Sequence, residues 1–411
     1  MRIACGFLPV SWHALLRIAA SVLLTVGAVG VVAADGGRSS SNIESCNPVT
    51  GLGEPLQMCS EVLCNRPAPE LGVDVVTWAT VIPRCRTSRV DIRPFHDDGP
   101  PRTRYGDSGV QRYACLYEPP DAMPASKRPL VVWLHGGGAG SADNVYDATS
   151  IRSKAIDSDL TGDPERPGFF LLSVQGRSLR YPTTAPRDGN HHDFYYRDLG
   201  SPSSNPDIAN VDALIDELVA SGRIDRQRIY VMGWSNGGFF SQMYTIARHA
   251  TPTPGGNTVA AAVAFTAADP FHNLREDQWP SCQLDPYPTS TVPILLISRS
   301  CDIVACDQEQ LDGFGIDQPA PGHVVATWQR DLSAKVRNPN VRRIIVAGDG
   351  RATDECSHSL LCTPAVATLN HLRWPDGVAD RSGRDHEPAM LDFLRDHPSD
   401  ESPTPPRRPT G

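Results

Sequence analysis

The stretch of sequence that decides the fold is "RIYVMGWSNGG", residues Arg228–Gly238. Its first half is mostly apolar and contains β-branched and aromatic residues, which is typical of a buried strand. The run ends abruptly at Ser235, which has a glycine two positions away on each side. Glycine adopts positive φ angles that other residues avoid, so a strand-edge turn without chemistry is one interpretation. The other is that the turn holds Ser235 out as a nucleophile, as the motif G-x-S-x-G does between a strand and a helix.

Further apolar runs on both sides of this stretch predict more buried strands. They are "PLVVWLHGGG" (129–138), "GFFLLSVQG" (168–176), "VAAAVAF" (259–265), "VPILLIS" (292–298) and "VRRIIVAG" (341–348). Residues 205–222 carry apolar side chains at i, i+3, i+4 and i+7, which predicts a helix, and helices are also expected at 236–248 and 387–397. Asn205 and Pro206 are suited to cap and begin the first of them. Apolar strands that alternate with helices predict an α/β fold with a mostly parallel sheet and helices on both faces.

The length and charge of the chain exclude several classes of function. With 411 residues, of which 40% are hydrophobic, the chain can bury a large core in one catalytic-size domain or in two small ones. Its net charge is −9, and no block rich in Lys and Arg occurs. This composition argues against nucleic acid and anionic membrane surfaces as main partners.

The N-terminal region has the pattern of an export signal. Residues Ile18–Ala34 are 17 residues without a charge, and they end in small residues before a polar segment. We expect cleavage near Ala34 and a secreted protein, extracellular or periplasmic, without stable membrane association. An uncleaved anchor is the alternative, since 17 residues are close to the length that spans a bilayer. The expected division is a signal peptide (1–34), a cysteine-bearing extension (35–68), a catalytic domain (69–398) and a disordered, proline-rich tail (399–411).

The cysteine content agrees with export. Cys5 lies in the signal, and ten cysteines remain: Cys46, Cys59, Cys64, Cys85, Cys115, Cys282, Cys301, Cys306, Cys356 and Cys362. An even number in an exported chain predicts up to five disulfide bonds, so we expect a disulfide-stapled fold. The spacing favours Cys301–Cys306 and Cys356–Cys362 as local pairs. No C-x-x-C pair occurs, which argues against a structural zinc site.

A serine that attacks a carbonyl needs hydrogen-bond donors for the oxyanion that forms. The backbone of Gly136, Gly137 and Gly138, at the end of an earlier predicted strand, is one expected source, with Gly137 favoured. The N–H of Asn236, directly after Ser235, is the second. The alternative for the three glycines is a flexible turn or a phosphate loop, but the pattern G-x-x-x-x-G-K-[ST] is absent.

A nucleophilic serine also needs a base and a carboxylate that orients the base. When G-x-S-x-G joins a strand to a helix, the chain order is serine, acid, histidine. Asp302 follows the predicted strand "VPILLIS" and is the favoured acid, with Asp307 as the alternative. Three histidines lie between the last predicted strand and the final helix: His358, His371 and His386. Position alone divides the choice between His371 and His386, and the third comes last because two cysteines enclose it.

The chain from about Tyr113 to His397 resembles the α/β-hydrolase superfamily, and within it the secreted polyhydroxybutyrate depolymerase and feruloyl esterase group. The likeness rests on "PLVVWLHGGGAGSADN" (129–144), "IDRQRIYVMGWSNGG" (224–238), "VPILLISRSCDIV" (292–304) and "HLRWPDG" (371–377). The last segment resembles the H-x-W-P segment of that group, with one more residue before the tryptophan. In that group the histidine of the segment is catalytic. The resemblance therefore implies that His371 is the base, with His386 as the alternative.

These features predict a secreted serine carboxylic-ester hydrolase that works through an acyl-enzyme, with Ser235, Asp302 and His371 as its triad. The expected substrates are small or polymeric esters, such as polyhydroxyalkanoates or feruloylated and acetylated polysaccharides. A serine peptidase on the same fold and a non-catalytic exported binding protein are the alternatives.

The segment "HHDFYYRDLG" (191–200) does not belong to any of these motifs. It could line a substrate cleft with its aromatic side chains, or it could be a loop that packs them. Adjacent histidines are poor ligands for one metal ion, and we expect neither a metal nor an organic cofactor.

Overall fold

The computed structural model of the protein describes residues 70–71, 90–96, 111–119, 124–138, 140–181, 187–194, 199, 201–271, 289–304, 325–334, 336–346, 363–378 and 383–399. All of them belong to one unit, Glu44–Gly411. The predicted signal (1–34), the extension (35–68) and residues 400–411 of the predicted tail lie outside the described residues, as do Asp307, His358 and all of the ten cysteines except Cys115 and Cys301. The predictions that concern those positions stay predictions.

The strands follow one another through the chain as β1 (Glu70–Leu71), β2 (Val90–His96), β3 (Gln111–Tyr117), β4 (Arg128–Leu134), β5 (Phe170–Val174), β6 (Arg177–Tyr181), β7 (Arg187–His191), β8 (Ile224–Trp234), β9 (Ala261–Phe265), β10 (Ile294–Arg299) and β11 (Val341–Val346). The helices are α1 (Asn144–Asp147), α2 (Ile151–Lys154), α3 (Pro206–Ala220), α4 (Asn236–Ala250), α5 (Val325–Ala334), α6 (Pro364–His371) and α7 (Glu387–Arg395). Each strand that the apolar runs predicted is present.

Eight strands form the main sheet, in the order β11-β10-β9-β8-β4-β5-β3-β2. The strands β2 and β3 run antiparallel to each other, β3 also runs antiparallel to β5, and every other neighbouring pair is parallel. The prediction of a mostly parallel sheet is therefore confirmed. The carboxyl ends of β4, β8, β9, β10 and β11 lie at one edge of the sheet, which is where ligand sites of such sheets form.

Apolar side chains cover both faces of this sheet, which explains why its strands are uninterrupted apolar runs. Along β4, Leu130, Val132 and Leu134 belong to the cluster that α3, α4 and α5 complete. The alternating residues Val131 and Trp133 belong to a second cluster, completed by α1, α2 and α7. The prediction of helices on both faces is thus confirmed.

Helix α3 begins as its sequence predicts. The side chain of Asn205 accepts hydrogen bonds from the backbone N–H groups of Asp207 and Ile208, and Pro206 occupies the first turn. These bonds satisfy two of the four N–H groups that a helix start leaves without an intrahelical partner. Nδ2 of Asn205 also donates to the carbonyl oxygen of Asp193 at 2.7 Å, which connects the start of α3 to the segment 187–194.

A second sheet of three antiparallel strands, β1-β6-β7, was not predicted from the sequence. Residue His191, which the sequence analysis assigned to a loop or cleft-lining segment, is the last residue of β7. A backbone bridge between Asn190 and Gly138 joins this small sheet to the glycine loop, with the Asn190 N–H 2.8 Å from the Gly138 carbonyl oxygen. The small sheet thereby reaches the edge of the main sheet that carries the candidate site.

Candidate active site

Ser235 lies at the sharp turn between β8 and α4. Its backbone has φ 53° and ψ −118°, a conformation that costs free energy in a residue other than glycine. The Ser235 N–H donates to the carbonyl oxygen of Phe265 at the end of β9, 2.9 Å away. A Cβ on Gly233 would overlap the carbonyl oxygen of Gly237, and one on Gly237 would overlap that of Leu134. The two glycines of G-x-S-x-G are therefore needed for close packing around the strained serine.

The structure brings His371 and Asp302 to this serine. Nε2 of His371 lies 2.7 Å from Oγ of Ser235, and Nδ1 lies 3.0 Å from Oδ1 and 3.3 Å from Oδ2 of Asp302. Asp302 is fully buried, and its Oδ1 also accepts the backbone N–H of Val304 at 2.8 Å. A carboxylate at Nδ1 holds the ring proton there, which leaves Nε2 as the acceptor for the serine hydroxyl.

Trp374 anchors the turn that follows His371. Its ring packs edge-on against Phe265, with centroids 5.1 Å apart, and lies 5.7 Å from the ring of Trp234. Its indole N–H donates to Oε1 of Glu387 at 2.7 Å. The fully buried ring thus connects the turn after His371 to the core, although it stands one position later than in the H-x-W-P segment.

The glycine loop lies beside the nucleophile, as expected from the sequence. A Cβ on Gly136 would lie 3.7 Å from Cβ of Ser235, and one on Gly137 would lie 3.2 Å from Cβ of Asn236. Gly138 has φ 80°, which a residue with a side chain rarely adopts. Asn236 is the first residue of α4, so its N–H has no acceptor within the helix. The glycine loop and the start of α4 therefore lie side by side next to Ser235.

His135, before the three glycines, was not singled out in the sequence analysis. Its Nδ1 lies 2.7 Å from the carbonyl oxygen of Gly136, and its Nε2 accepts the N–H of Gly176 at 2.9 Å. Burial lowers the pKa of His135 to about 4, although the hydrogen bond to the Gly136 carbonyl acts in the opposite direction. The neutral ring donates on one side and accepts on the other, and it fixes the glycine loop to Gly176, two residues after β5. The sequence feature that could have pointed to His135 is its position directly before a run of glycines.

The first residues of "HHDFYYRDLG" lie against the same loop. A Cβ on Gly137 would come within 2.6 Å of Nδ1 of His191, so the imidazole lies over this glycine. The Asn236 side chain pairs with the backbone of His192: Oδ1 accepts its N–H at 2.7 Å, and Nδ2 donates to its carbonyl oxygen at 3.0 Å. His191 thus borders the candidate site. Residues 195–198 and 200 of the segment lie outside the described residues.

The alternative base takes a different place in the structure. His386 is the N-cap residue of α7, and its backbone N–H donates to the carbonyl oxygen of Pro375 at 2.9 Å. The hydrogen bond to Oγ of Ser235 comes from His371. Both histidines are mostly buried, so burial does not separate them.

Two further classes of feature were searched for in the described part of the chain. Within it, no three or more His, Cys, Asp or Glu side chains are grouped as a metal ion would require. No described helix is both long enough and apolar enough to cross a membrane. The site contains a serine hydroxyl that is hydrogen-bonded to an imidazole, and a carboxylate orients that imidazole. This arrangement activates a serine as a nucleophile.

Comparison with known proteins gives one sequence match of moderate extent. The chain is 26% identical over 175 residues to feruloyl esterase B of Thermothelomyces thermophilus, a match that covers 41% of this chain and 52% of the relative. The chain therefore spans only about half the length of this curated relative. No family model matches the chain.

Solved structures with a related arrangement include a thermostable esterase and a protein called sOPH. The esterase is 18% identical, with a TM-score of 0.38, over 75% of this chain and 63% of its own. The second is 14% identical, with a TM-score of 0.41, over 77% of this chain and 89% of its own. These scores are too low to decide the fold. The chain thus has a mostly parallel sheet with Ser235 at the turn after the central strand β8, and part of its sequence is similar to that of a feruloyl esterase.

Proposed function

We propose that the protein is a carboxylic-ester hydrolase with Ser235 as nucleophile, His371 as base and Asp302 as the carboxylate that orients the base. One observation carries this proposal: Nε2 of His371 lies 2.7 Å from Oγ of Ser235 while its Nδ1 lies 3.0 Å from Asp302. Both are hydrogen-bond distances, and the distance to Oγ is within the range that proton transfer requires. The partial match to a feruloyl esterase supports the same class of reaction.

In the first half of the reaction, Oγ of Ser235 attacks the ester carbonyl carbon while its proton passes to Nε2 of His371. Asp302 accepts the Nδ1–H throughout and stabilises the imidazolium that forms. When the tetrahedral intermediate collapses, His371 returns the proton to the leaving alcohol, and an acyl-enzyme remains. Water then attacks the acyl group with His371 as base again, which releases the acid and restores the serine.

The tetrahedral intermediate carries a negative charge that needs donors. We assign this role to the backbone N–H of Asn236 and to the loop Gly136–Gly138, whose glycines approach Ser235 and Asn236 without side chains. Each such donor contributes about 3–4 kcal/mol to transition-state stabilisation in comparable sites. The start of α4 adds favourable potential for the charge.

The substrate class that we propose is feruloylated or acetylated polysaccharide or a polyester such as a polyhydroxyalkanoate. The feruloyl esterase match favours the first. Neither a metal nor an organic cofactor takes part in the proposed steps. A serine peptidase with the same triad, and an exported binding protein without turnover, are the alternatives.

We also propose that the protein is exported and stapled by disulfide bonds. The uncharged segment 18–34 supports export. Cys115 and Cys301 are each in a disulfide bond, which supports the stapling. Cys301 has φ 56° and directly precedes Asp302, so a disulfide there would restrain the segment that carries the acid. The N-terminal sequence of the secreted protein tests the cleavage near Ala34, and a first residue before position 20 would contradict it.

The first experiment measures hydrolysis of p-nitrophenyl acetate and butyrate by the secreted protein and three variants. We expect Ser235→Ala and His371→Ala each to lower kcat by about 10⁴-fold or more, because each removes a member of one catalytic unit. His386→Ala is the matched control, and its kcat should stay within about 3-fold of the wild-type value, because the hydrogen bond from His386 to Pro375 is made by the backbone N–H, which the substitution keeps. A dead His386→Ala variant with an active His371→Ala variant would overturn the assignment of the base.

The same preparation separates the alternatives. A fluorophosphonate probe should label the wild type at Ser235 and leave Ser235→Ala unlabelled. A folded wild type that neither turns over esters nor takes the probe would favour the binding protein. Turnover of peptide p-nitroanilides above that of the esters would favour the peptidase.

A further inference from the structure

The residues that carry the proposed base and acid are joined by hydrogen bonds outside the triad itself. His371 is the last residue of α6, and its carbonyl is one of the four that a helix end leaves without an intrahelical donor. The indole N–H of Trp234 donates to this carbonyl oxygen at 2.9 Å. Trp234 directly precedes Ser235, so one residue connects the nucleophile to the backbone of its base.

The Trp234 donor is held in place by aromatic packing. Its ring lies 6.2 Å from the ring of Phe265 and 5.7 Å from that of Trp374, centroid to centroid. Trp374 is itself fixed by its bond to the buried carboxylate of Glu387. Because both neighbours are fully buried, the indole cannot leave the His371 carbonyl without moving the core.

A parallel connection restrains the acid. The Asn370 side chain, one residue before the base, donates through Nδ2 to the carbonyl oxygens of Ser300 at 3.2 Å and Cys301 at 2.8 Å. Asn370 is buried, and Cys301 directly precedes Asp302. The end of α6 is therefore bound on one side to the nucleophile turn and on the other to the segment that carries the acid.

We infer that Trp234 is a positioning residue for His371: its indole N–H, by holding the His371 carbonyl, sets the distance between Nε2 and Oγ of Ser235. The inference rests on the proposed ester hydrolysis. The base must stay within about 3.2 Å of the hydroxyl to take its proton. A displacement of about 1 Å can lower the rate about 100-fold. Loss of the hydrogen bond that restrains the His371 backbone should therefore lower kcat.

The test compares Trp234→Phe with Trp133→Phe. Trp133 lies in β4 and packs edge-on against the same Trp374 ring at 6.5 Å, but its buried indole N–H has no hydrogen-bond partner among the described residues. Both substitutions remove an indole from one aromatic cluster, and only the first removes a hydrogen bond to the base. We expect Trp234→Phe to lower kcat about 10-fold with KM within about 2-fold of wild type, and Trp133→Phe to leave kcat within about 2-fold.

Two readouts do not depend on turnover. The rate at which a fluorophosphonate labels Ser235 should fall in Trp234→Phe and stay unchanged in Trp133→Phe. The low-field proton NMR signal of the Nδ1–H between His371 and Asp302 should shift or broaden in the first variant alone. If the wild type neither turns over nor takes the probe, the proposed function fails, while the NMR comparison still reports whether Trp234 holds the imidazole.

A third variant controls for the cavity that Phe leaves at position 234. Replacement of Trp234 by β-(3-benzothienyl)alanine keeps the bicyclic ring and substitutes sulfur for the N–H group, so a packing defect is minimised. The same loss of kcat in this variant supports the inference. Wild-type kcat, labelling rate and NMR signal in the benzothienyl variant would overturn it, as would equal losses in Trp234→Phe and Trp133→Phe.

Discussion

At the scale of single residues, His135 shows how a titratable group can have a structural role. Its imidazole donates to the Gly136 carbonyl and accepts from the Gly176 N–H, and this requires the neutral ring. Because burial lowers its pKa to about 4, the ring stays neutral at pH values well above 4. The geometry of the glycine loop is therefore insensitive to pH above that value.

This low pKa makes stability depend on pH in a defined direction. In the unfolded chain His135 titrates near 6.5, so between pH 6.5 and 4 the unfolded state binds more protons than the folded one. Its contribution to stability is complete above pH 6.5 and is lost as the pH falls towards 4. We expect the free energy of unfolding of the wild type to fall by about 2–3 kcal/mol more than that of His135→Gln between pH 7 and pH 4.5.

Urea denaturation at the two pH values measures this difference. Other groups titrate in both proteins, among them Glu387, so their effects cancel in the comparison. Parallel pH dependence of wild type and variant would show that His135 is not held neutral by burial.

At the scale of elements, the turn between β8 and α4 depends on glycine for a steric reason. A Cβ at Gly237 would meet the backbone oxygens of Leu134 and His135, which cannot rotate away as a side chain could. A Cβ at Gly136, on the neighbouring loop, would lie 3.6 Å from the Trp234 carbonyl oxygen, an ordinary contact. Gly237 is therefore required for steric reasons, whereas the space at Gly136 accommodates a methyl group.

We therefore expect Gly237→Ala to destabilise the protein by about 1–3 kcal/mol or more, since overpacking forces the backbone to shift. Gly136→Ala should change the free energy of unfolding by less than about 0.5 kcal/mol. Thermal and urea unfolding of both variants measure the contrast. Equal stability of the two variants would mean that the elbow relaxes around a methyl group.

At the scale of the whole molecule, Glu387 joins parts of the chain that are far apart in sequence. Its carboxylate accepts the N–H of Ser150 at 2.8 Å, the indole N–H of Trp374 at 2.7 Å and Nζ of Lys154 at 2.6 Å. Ser150 and Glu387 are 237 positions apart. Burial raises the pKa of the Glu387 carboxyl, and the bond and charge of Lys154 act against this rise. The buried carboxylate thus connects α7, α2 and the turn that follows the base.

The variant Glu387→Gln keeps the shape of the side chain and removes its charge. We expect it to lower the free energy of unfolding by about 1–3 kcal/mol, because the hydrogen bonds of a buried group are weakened and Lys154 loses one of its two carboxylate partners, while Asp385 remains at 2.7 Å. The matched control is Asp392→Asn on the same helix, whose ion pair with Arg395 is 58% exposed on the aspartate side and should contribute less than about 0.5 kcal/mol. Similar losses in both variants would contradict the role of Glu387.

Much of the architecture could be predicted because it follows from local pattern. Strands such as 129–134 and 294–298 are buried on both faces, so their apolar runs are visible in the sequence. The sheet β1-β6-β7 could not be predicted, since the sequences "RSLRY" and "RDGNH", which pair with each other, are short and polar, and the third strand, β1, is distant along the chain. Strand pairing between remote segments is a property of the folded chain.

The sequence by itself determined the elbow at Ser235 and the glycine loop, because each depends on residue types at fixed local spacing, and it favoured Asp302 over Asp307 as the acid. It left His371 and His386 open until a family resemblance was applied, since both lie just before or within a turn near the final helix. Only the tertiary structure decided which imidazole meets Ser235. That meeting joins residues 136 positions apart, and its geometry depends on packing around Trp234 and Trp374, which no local pattern encodes.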